Sequence, residues 1–266
     1  LKTMGDYVFE NNQNINSVDF SKTNIKKIPN NTFKDCKSLT NVKLNNKIEE
    51  IGSGAFENCT SLENLDLSKI KKIDRFAFRN CDKFTEINLA NIEELEEFAF
   101  AECSSLKKVN LPSKLKKINR YTFAECTSLE EINLNNIEVI EQRAFTKTKL
   151  KYCNFSNLVE LGDSAFADCN FPSTFNLKFY KDTKIDNYAF ANSTFSGLSH
   201  IDFNYKQVEI GDSAFSKIKG ITSLINTQNV KKVERFAFFK SSLSGLGLNP
   251  RSIFPNAQLG DHIFAD

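Results

Sequence analysis

The sequence has no tryptophan, one methionine, five prolines and two histidines in 266 residues. Two histidines, His200 and His262, are 62 positions apart and give little material for acid–base or metal chemistry. No glycine-rich phosphate loop, H-E-x-x-H or G-x-S-x-G occurs, and no other set of residues converges as a catalytic site requires. The reading is therefore a non-enzyme with no catalytic residue, no metal and no cofactor. No apolar run approaches the roughly 20 residues that cross a bilayer, so this segment inserts in no membrane as a helix. The opening LKTMGDYVFENNQN is too polar for a signal peptide. Charge of one sign is also lacking: 35 basic and 33 acidic residues leave a net charge of +2. That balance gives no mandate for nucleic acid or an anionic surface.

What the sequence has in quantity is phenylalanine, 25 residues, alongside seven cysteines. Both are periodic. The stretch FAECSSLKKVNLPSKLKKINRYTFAEC at 100–126 begins and ends with the same word. Phe recurs at 9, 33, 56, 78, 100, 123, 145, 166, 190, 215, 238 and 264, at intervals of 21 to 26 residues. Ala precedes most of these, and Cys follows three residues later at Cys36, Cys59, Cys81, Cys103, Cys126 and Cys169. Each unit then carries a short alternating stretch such as Val42-Lys-Leu44 or Ile87-Asn-Leu89. A second apolar pair follows, as in Ile48/Ile51 and Ile70/Ile73. Such a unit predicts one strand, a turn, a second extended piece, and a tight helical or 3₁₀ turn at Ala-Phe-x-x-Cys. One unit buries almost nothing alone, whereas stacked units share a continuous core. Repeats of this length and L-x-x-L-x-L spacing are leucine-rich repeats. The expected fold is thus an α/β-type, β-rich leucine-rich repeat solenoid. It is read as a right-handed superhelix of about eleven repeats with parallel strands on the concave face. It runs over 1–266 as a single domain whose last repeat, 239–266, is irregular. Leu1 already stands at a second-pair position, which reads as a fragment of a longer array.

The words IGSGAFENCTSLENLDL, LGDSAFADC and IGDSAF resemble the BspA-like, or treponemal-type, leucine-rich repeat. Its Gly after the second apolar pair stands here at Gly5, Gly52, Gly162, Gly211 and Gly260; of its Pro after the first strand only Pro112 is present. The resemblance implies a microbial surface or secreted protein that binds host matrix, plasma or cell-surface proteins. A cytoplasmic scaffold or effector is the alternative, which reduced thiols would suit. A carbohydrate-binding surface protein ranks below both.

The cysteines lie one per repeat, except Cys153, which takes a strand-core position. They read as a column of small buried thiols; strained disulfides between neighbouring repeats are the alternative. Between the second-pair residues the charge alternates, Lys26-Lys27, Glu49-Glu50, Lys71-Lys72, Glu93-Glu94, Lys116-Lys117. Opposite charges on adjacent rungs of a parallel stack set its register.

Binding is expected on the first strand, whose central residues run Asp19, Lys43, Asp66, Asn88, Asn110, Asn133, Asn154, Asn176, Asp202. Aromatic residues mark one part of it. Tyr152 precedes its strand core, His200 takes the same place two repeats later, and Phe179 and Tyr205 are placed just past their strands. These repeats are also the longer ones, where solenoids often carry contacts. The candidate site is Tyr152, Asn154, Asn176, Phe179, His200, Asp202 and Tyr205, with a protein as the partner; burial of Phe179 and Tyr205 under the longer loops is the competing reading.

Overall fold

In the computed structural model, which describes residues 1–197 and 200–266, the chain divides into two compact units. One comprises 1–115 and 119–132, the other 116–118 and 133–266. Each is a stack of the same turn, with parallel pairing throughout and hardly any helix, the largest being the single turn Pro250–Ile253. The expected leucine-rich repeat solenoid is what is found.

The second apolar pair forms the most regular ladder. In the first unit Lys27–Ile28, Glu50–Ile51, Lys72–Ile73 and Glu94–Leu95 pair in sequence. In the second, seven strands run from Lys117–Ile118 to Gln258–Leu259. Eleven rungs among the described residues match the number of repeats read from the sequence. The charge alternation falls in register, Glu50 opposite Lys72 and Lys72 opposite Glu94. Lys71 reaches Glu49 at 2.9 Å and Lys72 reaches Glu94 at 2.9 Å. Each such exposed pair contributes only about 0.2–1 kcal/mol, so these charges add little to the stability of the ladder.

The Ala-Phe-x-x-Cys segment departs from expectation. A helical or 3₁₀ turn would close its hydrogen bonds inside one rung. Instead the residues two before and two after each Phe from Phe9 to Phe238 are left-handed, as at Phe76 (φ 58°) and Asn80 (φ 57°). That alternation turns every second N–H toward the next rung: Gly54 donates to Arg75, Phe56 to Ala77, Asn58 to Arg79, at 2.8–2.9 Å. The N–H groups in between stay within the rung, Ala55 to Gly52 and Glu57 to Gly54. The turn is therefore a third ladder. Gly52 sits where a Cβ would lie 2.8 Å from the backbone of Asn30, so a side chain there would have to shift the preceding rung.

Inside the turns the phenylalanines stack ring on ring. Phe9, Phe33, Phe56, Phe78, Phe100 and Phe123 follow one another at 5.1–5.9 Å in the first unit. Phe145, Phe166, Phe190, Phe215, Phe238 and Phe264 do so at 5.1–5.5 Å in the second. All seven cysteines are free and buried. Six donate their thiol to the carbonyl of the Phe one rung back, as Cys103 to Phe78 at 3.2 Å and Cys126 to Phe100 at 3.1 Å. Ser193 makes the same bond to Phe166 at 2.8 Å.

The longer repeats of the second unit fill their extra length with core. Asn170–Phe171 pairs with Thr194–Phe195, and Phe171 stacks on Phe195 at 4.8 Å.

Candidate functional site

On the first-strand face of the second unit, the register is fixed by three phenyl rings. Phe155 pairs with Phe179 in the ladder, and the rings of Phe155, Phe179 and Phe203 stack at 6.0 Å intervals. Phe179 is fully buried. Its expected role as an exposed contact is therefore corrected: it lies in the bridged stretch Lys178-Phe179 and forms the floor under the face.

The same register shifts the polar column. Lys178 is opposite Asp202, so the central residues of successive rungs are Asn154, Lys178 and Asp202. Asn176 lies two positions earlier, in the row of Tyr152 and His200, and His200 pairs with Ser223. Sequence reasoning placed Asn176 in the central column and missed Lys178 altogether.

These two rows enclose a depression of about 240 Å³ lined by Tyr152, Asn154, Thr174, Asn176, Lys178 and Tyr180 above the buried Cys153. Tyr152 is 54% exposed and Tyr180 is 41% exposed. The Lys178 ammonium lies 5.6 Å from the centre of the Tyr180 ring and 2.7 Å from Asp202 Oδ2. Asp202 is the most buried acid of the described residues. Burial alone would raise its carboxyl; bonds from Lys178, from Asn226 Nδ2 at 2.7 Å and from the Asn204 amide at 2.7 Å outweigh that and hold it below the ordinary value. Donating that same bond to Asp202 raises Lys178. The pair stays ionised at neutral pH, and its charges cancel locally.

Of the expected residues, Tyr152, Asn154 and Asn176 meet in this depression, and Asp202 acts on it through Lys178. His200 lies half-buried along the Tyr152 row, one rung beyond Asn176. Tyr205, 60% exposed with φ 56°, sits in the turn after Phe203 and outside the depression. Tyr180 was visible in the sequence only as the neighbour of Phe179; the register makes it a wall.

Elsewhere the surface offers less. In the first unit Leu65 and Asp66 pair with neither neighbouring strand, only Asn64 bridging to Asn41, and a hollow of about 700 Å³ opens beside Lys43, Asn46 and Asp66. No aromatic ring lines it. No group of three or more His, Cys, Asp or Glu among the described residues is placed to hold a metal. Burial pushes the thiols up, Cys103 and Cys169 to about 12, so they are poor nucleophiles. No helix among the described residues is long and apolar enough to cross a membrane.

Fold and face together define a leucine-rich repeat scaffold. The chain belongs to the BspA type leucine-rich repeat family, whose model matches residues 1–83, 67–172 and 183–265 in six copies. No curated protein matches the sequence. Among solved structures it is similar to a leucine-rich cell surface protein from Faecalibacterium prausnitzii A2-165, at 17% identity and TM-score 0.52, covering 98% of this chain and 82% of that one. It is also similar to a leucine-rich repeat protein from Bacteroides ovatus ATCC 8483, at 19% identity and TM-score 0.47, covering 85% and 91%. The pneumococcal vaccine antigen PcpA matches at 16% identity and TM-score 0.45, covering 89% and 66%. At these identities the likeness concerns the fold.

Proposed function

We propose that the chain is a non-enzymatic binding module that docks a protein partner on the first-strand face of residues 133–266. The observation that carries this reading is the exposure of three rings on that face: Tyr152 and Tyr180 wall one depression beside Asn154, Asn176 and Lys178, and Tyr205 stands exposed in the turn after Phe203, one rung on. Amphipathic rings held on a fixed backbone lose little entropy on binding and are the usual interface anchors. Display at a microbial cell surface, or secretion, is the setting we infer, supported by the family and by the likeness to the F. prausnitzii cell surface protein. Host matrix, plasma or cell-surface proteins are the partners of that setting. One observation favours a second setting: seven reduced thiols fit an intracellular scaffold. Surface proteolysis of intact source cells separates the two, since only a displayed chain is cleaved.

The test of docking is binding to a panel of immobilised plasma and matrix proteins. The double variant Tyr152→Ala/Tyr205→Ala should lose at least about tenfold in affinity for any protein bound, as removal of interface anchors does. Its melting temperature should stay within about 2 °C, because neither ring is in the core. Undiminished binding by the double variant overturns the reading.

A further inference from the structure

The depression between Tyr152 and Tyr180 has a chemistry narrower than general protein docking. At about 240 Å³ it is below the usual size of sites for drug-sized ligands and suits a single small ring. Its walls are two phenol rings. Between them stand the amides of Asn154 and Asn176 and the hydroxyl of Thr174, each able to donate and accept. Thr174 spends its proton on the Lys151 carbonyl at 2.8 Å, and Asn154 Oδ1 accepts from Ser156 at 2.6 Å. Those bonds leave a hydroxyl lone pair on Thr174 and the Asn154 amide protons for a ligand.

Lys178 decides which ligand. Its ammonium is bound to Asp202 at 2.7 Å, and Asp202 is in turn bound by Asn226 and by the Asn204 amide. The positive charge is compensated from the adjacent rung, while two ammonium protons remain to donate. An anionic ligand would meet an ion pair with no net charge. An apolar side chain would leave the amides and the ammonium unpaired. A neutral ring that is apolar on its C–H face and carries hydroxyls on its rim satisfies both sets of groups: the face lies against a tyrosine ring, whose π-surface is negative, and the hydroxyls reach the amides and Lys178.

We propose that this depression binds a neutral hexopyranose, either at the end of a glycan on the docked partner or as a unit of a free polysaccharide. The proposal rests on the first-strand face being the docking surface only where the sugar is carried by a partner protein. Asp202 is a positioning residue, holding Lys178 over Tyr180 and cancelling its charge.

The test is a glycan array of neutral, sialylated and sulfated oligosaccharides probed with the intact chain. Neutral glycans should bind, and Tyr152→Ala and Tyr180→Ala should each weaken that binding at least about tenfold, while Tyr205→Ala, outside the depression, leaves it unchanged. Inhibition by a neutral polysaccharide alone identifies the free source. Loss of partner affinity after enzymatic removal of the partner's glycans identifies the carried one. Absence of neutral-glycan binding, or binding confined to sialylated and sulfated glycans, overturns the proposal. So does a partner bound equally well after deglycosylation through Tyr152 with no glycan bound on the array, an outcome that leaves protein docking intact. Neutral-glycan binding in a chain whose protein affinity survives Tyr152→Ala/Tyr205→Ala overturns docking and supports the sugar site.

Discussion

At the scale of single residues, the cysteine is a hydrogen-bond donor fitted to a buried carbonyl. In a rung such as that of Cys126, the Phe100 carbonyl has a thiol at 3.1 Å as its side-chain partner. Cys126→Ala leaves that carbonyl with less and opens a small void. It should lower stability by about 1–2 kcal/mol in urea unfolding. Cys126→Ser, copying Ser193 at its 2.8 Å bond, should cost less than the alanine. Equal losses in the two variants would remove the donor role. The same burial predicts chemistry: a thiol reagent should label few of the seven cysteines in the native chain and all of them in denaturant. This slot was legible in the sequence, because Thr148 and Ser193 occupy it without breaking the repeat. The left-handed residues flanking each Phe were not. Phe76, Phe98 and Tyr121 are bulky residues at φ 56–58°, where single-residue preference argues against them. They are held by their stack, with ring centres 4.8 and 4.4 Å apart.

At the scale of elements, the ladders depend on register, and the sequence specifies it unevenly. The second-pair ladder was readable because each rung has one apolar pair with alternating charge beside it. Lys72→Glu would place a carboxylate between Glu50 and Glu94. It should destabilise by about 0.5–1 kcal/mol at low salt, and less at 1 M salt, where screening acts within about 3 Å. A loss independent of salt would point to packing instead. The first-strand register at 175–179 was misread for a specific reason. Phe175, Leu177 and Phe179 alternate over five residues, and a slip of two positions keeps every side chain on its own face. Alternation alone cannot choose between Asn176 and Lys178 as the central residue; the Phe155–Phe179 pairing does. From that one slip came both the exposed placement of Phe179 and the omission of Lys178. The Lys178–Asp202 link is testable by pH. Asp202 is held below its ordinary value in the folded chain, so its contribution is fully present above about pH 3.9, the unfolded value. It fades as pH falls through the lower folded value. The melting-temperature gap between the native chain and Asp202→Asn should therefore be wide at pH 7 and narrow at pH 2.5. A gap unchanged across that range would show that the carboxylate charge contributes nothing.

At the scale of the whole molecule, repetition itself separates scaffold from site. What most rungs share (the Phe stack and the turn ladder, with a thiol bond in six of them) serves the fold, and function is to be sought in what only a few rungs carry. Repeat length, family and solenoid class were all legible because they recur. The Tyr152–Tyr180 depression is built from residues outside the shared pattern, and a single sequence offers no second instance against which to check it. Tyr7 in the first unit and Tyr188 at a turn position of the second are also exposed, which supplies internal controls. Hydroxyl-radical footprinting of tyrosines, with and without a bound partner from the plasma and matrix panel, tests the docking face most directly. Tyr152, Tyr180 and Tyr205 should lose most of their labelling in the complex while Tyr7 and Tyr188 keep theirs. Protection at Tyr7 or Tyr188 with the other three unprotected would contradict docking on that face.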